Sequence, residues 1–306
     1  MEGRWCSSHA NFEHMPQKSE LKTAFVLTGG GSLGAVQVGM LKALTRGRIV
    51  PDFVVGASVG AINGAYFAAE PNEAGLVRLE RIWGRLHRAD IFPVSLLNSL
   101  LAILGRRDHL VTPTSLRALV ESELPCAKLE DARIPCHVIA TDVLDGGEVA
   151  IAAGPLMDAL LASTAIPAVF PPVTFDGRFL MDGGIANKTP ISIAVNLGAQ
   201  RVIVLPTGMS CALDEPPRGA VAFALHALNL LVMRQLLSDI ERFSDRAKVV
   251  VVPPLCPIGV SVYDFSQTAE LIRRAEATTR LWLKKNGLES SGAPEELVPH
   301  EHAQLA

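Results

Sequence analysis

Pro51-Asp-Phe-Val-Val-Gly56-Ala-Ser58-Val-Gly60-Ala-Ile-Asn-Gly-Ala-Tyr-Phe-Ala-Ala69 is the stretch on which the fold turns. A short apolar run, Phe53 to Val55, leads into Gly56-Ala-Ser58-Val-Gly60. A run of small, helix-compatible residues leaves it. That is the setting of a nucleophile elbow, a sharp strand-to-helix turn with the serine hydroxyl projecting outward. Gly56 and Gly60 leave room for two backbone segments to approach closely. The helix that follows points its N-terminus at Ser58, which favours negative charge there.

Outward from that turn, short apolar runs alternate with longer helical patterns. Strands are expected at Thr23–Leu27, Phe53–Val55, Cys136–Thr141, Glu148–Ile151, Arg201–Leu205 and Val249–Val252. Most are flat apolar runs without polar alternation, as in strands buried on both faces of a mainly parallel sheet. Helices are expected at Ala35–Leu44, Ala61–Ala69, Glu73–Leu86, Pro113–Glu123, Met157–Ser163, Ile191–Leu197, Ala220–Phe243 and Phe265–Asn286. The alternation predicts an α/β chain with a three-layer α/β/α architecture. Residues 1–22 read as a flexible tail, 23–286 as one domain, and 287–306 as a second flexible tail.

Of the 306 residues, 49% are hydrophobic and 19% charged, enough for one large core. A net charge of −3 and 5% aromatic residues argue against a nucleic-acid partner. The five cysteines (Cys6, Cys126, Cys136, Cys211, Cys256) are scattered, with no Cys-x-x-Cys. They read as free thiols of a reducing compartment, and no metal site is expected. The N-terminus has no apolar core of a signal peptide. The apolar stretch from Ala220 to Met233 is interrupted by His226 and Asn229 and reads as too short to span a bilayer. The expectation is a cytoplasmic chain that touches membranes only at its surface.

Thr28-Gly29-Gly30-Gly31-Ser32-Leu33-Gly34 is a glycine loop between a strand and a helix. It fits Gly-x-Gly-x-x-Gly, but a dinucleotide site needs an acid at the end of the second strand. Asp52 precedes that strand, and Gly56-Ala-Ser58 occupies its end. The other use of the loop is an oxyanion hole, in which backbone N–H groups of Gly30 and Gly31 join that of Val59 while Gly29 shapes the turn.

A nucleophilic serine needs a base. His9, His14, His300 and His302 lie in the tails. His137 and His226 sit in apolar segments and read as core or rim residues, and His87 and His109 have no motif around them. One acid stands out. Val173-Thr-Phe-Asp176-Gly177-Arg-Phe-Leu-Met is a hairpin signal, followed directly by Asp182-Gly183-Gly184, an acid at a strand end with little steric cover. Asp142 also lies near a strand end, whereas Asp145-Gly-Gly147 reads as a plain hairpin turn.

With these elements together, the chain resembles the patatin-like phospholipases, a family of lipid acyl hydrolases. The elements are Gly29-Gly-Gly-Ser-Leu-Gly34, Gly56-Ala-Ser-Val-Gly60, Ala159-Leu-Leu-Ala-Ser163-Thr-Ala-Ile-Pro167-Ala-Val-Phe-Pro171-Pro172 and Asp182-Gly-Gly184, spread over residues 23–205. The resemblance implies a Ser–Asp dyad with Ser58 as nucleophile and Asp182 as base. It also implies an oxyanion loop at Gly29, Gly30 and Gly31, no cofactor, and a lipid or membrane-surface substrate. Many relatives carry a basic residue where this chain has Leu33. A thioesterase or small-ester esterase would use the same site, and a catalytically silent lipid-binding module is the reading from another class. Ile91–Gly105 is apolar enough to coat a lipid-binding mouth and equally fits a core helix; for Ala220–Phe243, apolar all round in its first half, burial is the better reading.

Overall fold

The apolar runs around the glycine loop and the elbow become two adjacent parallel strands at the centre of a sheet. The computed structural model describes residues 21–91, 117, 124–187 and 189–298. In chain order they form β1 (Thr23–Leu27), α1 (Gly34–Arg46), β2 (Phe53–Ala57), α2 (Val59–Ala69), α3 (Glu73–Arg85), α4 (Arg88–Ile91), β3 (Cys136–Asp142), β4 (Glu148–Ile151), α5 (Leu156–Ser163), β5 (Val173–Phe175), β6 (Arg178–Asp182), α6 (Ile191–Asn196), β7 (Arg201–Leu205), α7 (Ala220–Phe243), β8 (Lys248–Val251) and α8 (Thr268–Lys284). The eight strands hydrogen-bond in the path β5-β6-β3-β2-β1-β7-β8, with β4 also on β3. The pairs β3–β2, β2–β1, β1–β7 and β7–β8 are parallel. The hairpin β5–β6 turns at Asp176-Gly177, both at positive φ.

Alternation along each strand divides the core into two. Phe25, Leu27, Val54, Ile203 and Leu205 pack on one face against α1, α2, α3 and α8. Ala24, Val26, Val55, Val202 and Val204 pack on the other face against α6 and α7. The result is the three-layer α/β/α arrangement the sequence predicts.

Register delivers the second consequence. Ile139 pairs with both Ala57 and Ala150, so β2 and β4 occupy opposite edges of β3. Ala140 pairs with both Val149 and Asp182. β6 therefore lies on the β2 edge, one step beyond its end, and Asp182 arrives where the chain leaves Ala57 for Ser58.

Three expectations are corrected. α2 begins at Val59, not Ala61, because Ser58 turns the strand directly into the helix. Residues 287–298, expected as tail, form turns at Gly287–Glu289 and Glu295–Leu297, and Leu297 is buried against the α6–α7 side of the sheet. α7 is not buried all round. One side, with Val232, Leu236, Ile240 and Phe243, docks on the sheet, while Phe223, Leu230 and Leu231 are exposed. Its 24 residues are also long and apolar enough to cross a membrane by length and composition. The expected helix Pro113–Glu123 and residues 92–105 lie outside the described residues, apart from Arg117.

Candidate active site

Ser58 is held in a conformation that L-residues rarely adopt, φ 54° and ψ −127°. A strained turn of this kind costs on the order of 1–3 kcal/mol and persists only where its surroundings impose it. Here they do. A Cβ on Gly56 would come within 2.4 Å of the Gly60 carbonyl oxygen, and one on Gly60 within 2.3 Å of the Leu27 carbonyl oxygen. The Ser58 amide donates to Ser163 Oγ at 2.9 Å, and that hydroxyl donates to the Ile139 carbonyl at 2.5 Å. Ser163 thus ties the elbow to β3.

The Ser58 hydroxyl donates to Asp182 Oδ2 at 2.7 Å. The other carboxylate oxygen accepts the Gly184 amide at 2.7 Å, and the residue is only 2% exposed. Its backbone is fixed from three sides. Its amide donates to Ala165 O at 2.9 Å, its carbonyl accepts the Thr141 hydroxyl at 2.9 Å, and a Cβ on Gly183 would lie 2.1 Å from Ile139 O.

The glycine loop lies against the same serine. A Cβ on Gly29 would sit 3.9 Å from Ser58 Oγ. Thr207 Oγ1 donates to Gly29 O at 2.9 Å and fills the space a Gly30 side chain would need. Gly31 has φ 57° and abuts the Val262 carbonyl, which accepts the Ser32 amide at 2.9 Å. Beneath the loop runs a buried polar chain. Gln37 Nε2 donates to Thr28 O and Leu205 O, Asn63 Nδ2 donates to Gln37 Oε1 and Gly34 O, and Trp83 Nε1 donates to Asn63 Oδ1, each at 2.9 Å. Gly34 packs on Val59 and Trp83. Among the described residues, nothing accepts from the amides of Gly29, Gly30, Gly31 or Val59.

Ser58, Asp182, Gly29, Gly30, Gly31 and Val59 are therefore brought together. Gly34, Gly56, Gly60 and Gly183 serve close packing, and Gly184 supplies a donor. Two of the described histidines, His137 and His226, lie elsewhere. His137 is the second residue of β3, at the end of the strand away from Ser58 and edge-on to Phe53, and burial with Lys22 nearby lowers its pKa. Nδ1 of His226, on α7, is buried without a hydrogen-bond partner among the described residues. His109 lies outside the described residues. Asp52 Oδ2 accepts the Thr23 amide at 2.8 Å, at the start of β1 and remote from the glycine loop, so it is misplaced for a ribose. Asp145 accepts Gly147 N at 2.6 Å within the β3–β4 turn. Leu33 is fully buried, so this position turns into the core. Among the described residues, no three His, Cys, Asp or Glu side chains converge as a metal site. Sequence reasoning assigned no role to Ser163, Thr207, Gln37 or Asn63. Each is a small or medium polar side chain, in an apolar run or, for Thr207, just beyond one, with a partner far away in the chain.

An apolar cleft of about 780 Å³, its open mouth included, begins at Ser58 and Gly31 and is walled by α2, α3, Leu86, Ile91, Phe265 and the segment from Thr164 to Phe170.

The family model described as patatin-like phospholipase matches residues 25–195. Patatin-like phospholipase domain-containing protein 7 of Rattus norvegicus is 30% identical over 187 residues, 60% of this chain and 13% of that protein. Patatin-like phospholipase domain-containing protein 6 of Homo sapiens is 28% identical over 208 residues, covering 67% and 15%. Neuropathy target esterase sws of Drosophila melanogaster is 29% identical over 192 residues, covering 60% and 13%. The matches thus span about one seventh of these relatives' length. Among solved structures, VipD from Legionella pneumophila aligns with a TM-score of 0.46 at 13% identity, over 87% of this chain and 67% of that one. Human GIVD cytosolic phospholipase A2 aligns at 0.45 and 12%, over 87% and 58%. By the family match, which covers more than half of its residues and contains both Ser58 and Asp182, this chain belongs to the patatin-like phospholipase family.

Proposed function

We propose that this chain is a serine hydrolase that cleaves carboxylic ester bonds of lipids, phospholipid or neutral. The observation that carries the reading is the 2.7 Å contact between Ser58 Oγ and Asp182 on a strained elbow from which an apolar cleft opens. In the first half-reaction Asp182 takes the Ser58 proton as the hydroxyl attacks the ester carbonyl. The amides of the glycine loop and of Val59 bind the oxyanion, and Asp182 returns the proton to the departing alcohol. In the second, water attacks the acyl-enzyme with Asp182 again as base, releasing the acid and the free serine. A free aspartate, with a reference pKa of about 3.9, is a weak base toward an alcohol. Fixed proximity and a prepared oxyanion site offset that weakness. The chemistry uses no cofactor, and a water-insoluble substrate brings the enzyme to a lipid surface.

The test is labelling of the full chain with a fluorophosphonate probe, followed by peptide mapping, together with ester turnover by Ser58→Ala and Asp182→Asn. We expect label on Ser58 and no turnover by either variant, each folded as judged by circular dichroism. Turnover by Asp182→Asn at the wild-type rate removes the dyad. A thioesterase uses the same atoms, so matched thioester and ester substrates separate the two.

A further inference from the structure

The loops that leave β7 and β8 bring two cysteine side chains together. Both strands run parallel to β1, so residues 206–219 after β7 and 252–267 after β8 start at the sheet end that carries the glycine loop. The Ala212 amide donates to Ile258 O at 3.0 Å, and the Ile258 amide donates to Cys211 Sγ at 3.4 Å. Two positions before Ile258 stands Cys256, whose thiol hydrogen-bonds with that of Cys211. Both residues are half-buried, and both carry reduced thiols. Cys211 also lines an open pocket with Asp214, Glu215 and His226, so a small solute in water reaches it. Burial, and then Cys211 beside it, push the Cys256 thiol up to about 11, so it keeps its proton at neutral pH. The same two loops brace the glycine loop. From the first, Thr207 donates to Gly29 O; from the second, Ser261 O and Val262 O accept the hydroxyl and the amide of Ser32. Ser210 Oγ, next to Cys211, donates to Val260 O and ties one loop to the other.

We propose that Cys211 and Cys256 form a redox site, a dithiol that a peroxide closes to a disulfide and that thereby lowers turnover at Ser58 through the glycine loop. The turnover half of this inference rests on the ester-hydrolase reading above; the disulfide does not. The Cys211 thiolate attacks one peroxide oxygen and the O–O bond breaks, leaving a sulfenic acid on Cys211 and one water. The Cys256 sulfur then attacks the sulfur of that sulfenic acid. The S–S bond forms, the S–O bond breaks, and the hydroxide leaves with the Cys256 proton as a second water. Two thiols lose two electrons and two protons, and the peroxide becomes two waters. The sulfurs close from hydrogen-bond contact to a bond of about 2.05 Å. That movement takes Cys211 Sγ from the Ile258 amide and draws together the segments that carry Thr207 and Val262. The support under Gly29, Gly30 and Gly31 shifts with them. Thiol exchange with a reductant reverses the step.

The experiment treats the reduced full chain with hydrogen peroxide, alkylates the remaining thiols after unfolding, and maps the peptides by mass spectrometry. We expect a cross-linked peptide joining Cys211 to Cys256, lost on treatment with dithiothreitol, while Cys126 and Cys136 are alkylated. The oxidised protein should melt several degrees higher, because the bridge constrains the unfolded chain between residues 211 and 256. Its kcat on a soluble ester should fall by about threefold or more, since displaced oxyanion donors cost rate, and return with dithiothreitol. Cys211→Ser and Cys256→Ser should each show none of these changes. Cys211→Ala or Cys256→Ala takes the place of a serine variant that does not fold by circular dichroism. Both cysteines alkylated after peroxide, or Cys211 carried to a sulfinic acid beside an alkylated Cys256, overturns the dithiol. A mapped bridge with kcat unchanged overturns the link to Ser58. A mapped bridge in a chain that turns over no ester in either state removes the hydrolase reading, and the turnover half with it, and leaves the disulfide standing.

Discussion

Gly30→Ala is the sharpest probe of the glycine loop, because the structure sets its consequence in distances. The new methyl would lie 2.1 Å from Thr207 Oγ1, 2.6 Å from Thr207 Cβ and 2.9 Å from Thr207 Cγ2. Optimal carbon–carbon separation is about 3.5–4.0 Å. Rotation about χ1 of Thr207 moves Oγ1 and Cγ2 but leaves Cβ where it is, so roughly 1 Å of relief must come from backbone. Overpacking of this kind costs about 1–3 kcal/mol. The Thr207 hydroxyl also loses its 2.9 Å bond to Gly29 O, worth about 0.5–1.5 kcal/mol. Melting temperature should fall by at least about 3 °C. Activity should fall further than stability, because on the proposed mechanism the segment displaced supplies the oxyanion donors; losing one such donor costs about 10²–10³ in kcat. The control is Gly84→Ala on α3, where a Cβ meets nothing within 4 Å, and which should keep full activity. The assay is kcat on a soluble ester, normalised to fluorophosphonate-reactive sites, beside thermal melts. Gly30→Ala with kcat within threefold of wild type would refute the role assigned to this loop.

Three further outcomes are expected. Ser163→Ala leaves the part-buried Ser58 amide without its acceptor, a loss of about 1–3 kcal/mol, and frees the strained elbow to relax; urea titration should show a lower midpoint at constant slope, with kcat reduced more than KM is raised, and unchanged kinetics would show that the elbow stands without it. Leu33→Lys drives a cation into a fully buried position, so melting should drop by several degrees; an unchanged melting point would mean the side chain escapes to solvent. For His137, burial and then Lys22 hold the folded pKa below 6.5. The unfolded chain therefore binds more protons below pH 6.5, and stability is lost as pH falls from there through the folded value. His137→Gln should flatten that slope, and identical slopes from pH 7 to 5 would contradict the shift.

What the sequence discloses and what it hides follow one physical division. Thr23–Leu27, Glu148–Ile151 and Arg201–Leu205 coincide residue for residue with β1, β4 and β7. Apolar runs bounded by turn residues are local facts, and β1 and β7, buried on both faces, need nothing else, while the half-exposed β4 is marked by the Asp145-Gly-Gly147 turn before it. The elbow is legible for the same reason, since strand, glycine, serine and helix are neighbours in the chain. The meeting of Ser58 and Asp182 is not local. It depends on β3 accepting β2 and then β6 along a single edge, a register that no run of residues states. Ser163 reaches Ser58 across 105 positions, Thr207 reaches Gly29 across 178, and Gln37 reaches Leu205 across 168. In each case a hydroxyl or amide in or beside an apolar run looks like a spacer until its distant partner is in place. The misjudged first half of α7 marks the converse limit. An apolar composition says that a helix has a face to cover, not which side of it the sheet will cover, and Phe223, Leu230 and Leu231 remain outside. Residues that respond to distant partners hold this site together, so substitutions at Ser163 and Thr207 test the part of the arrangement that the motif glycines do not advertise.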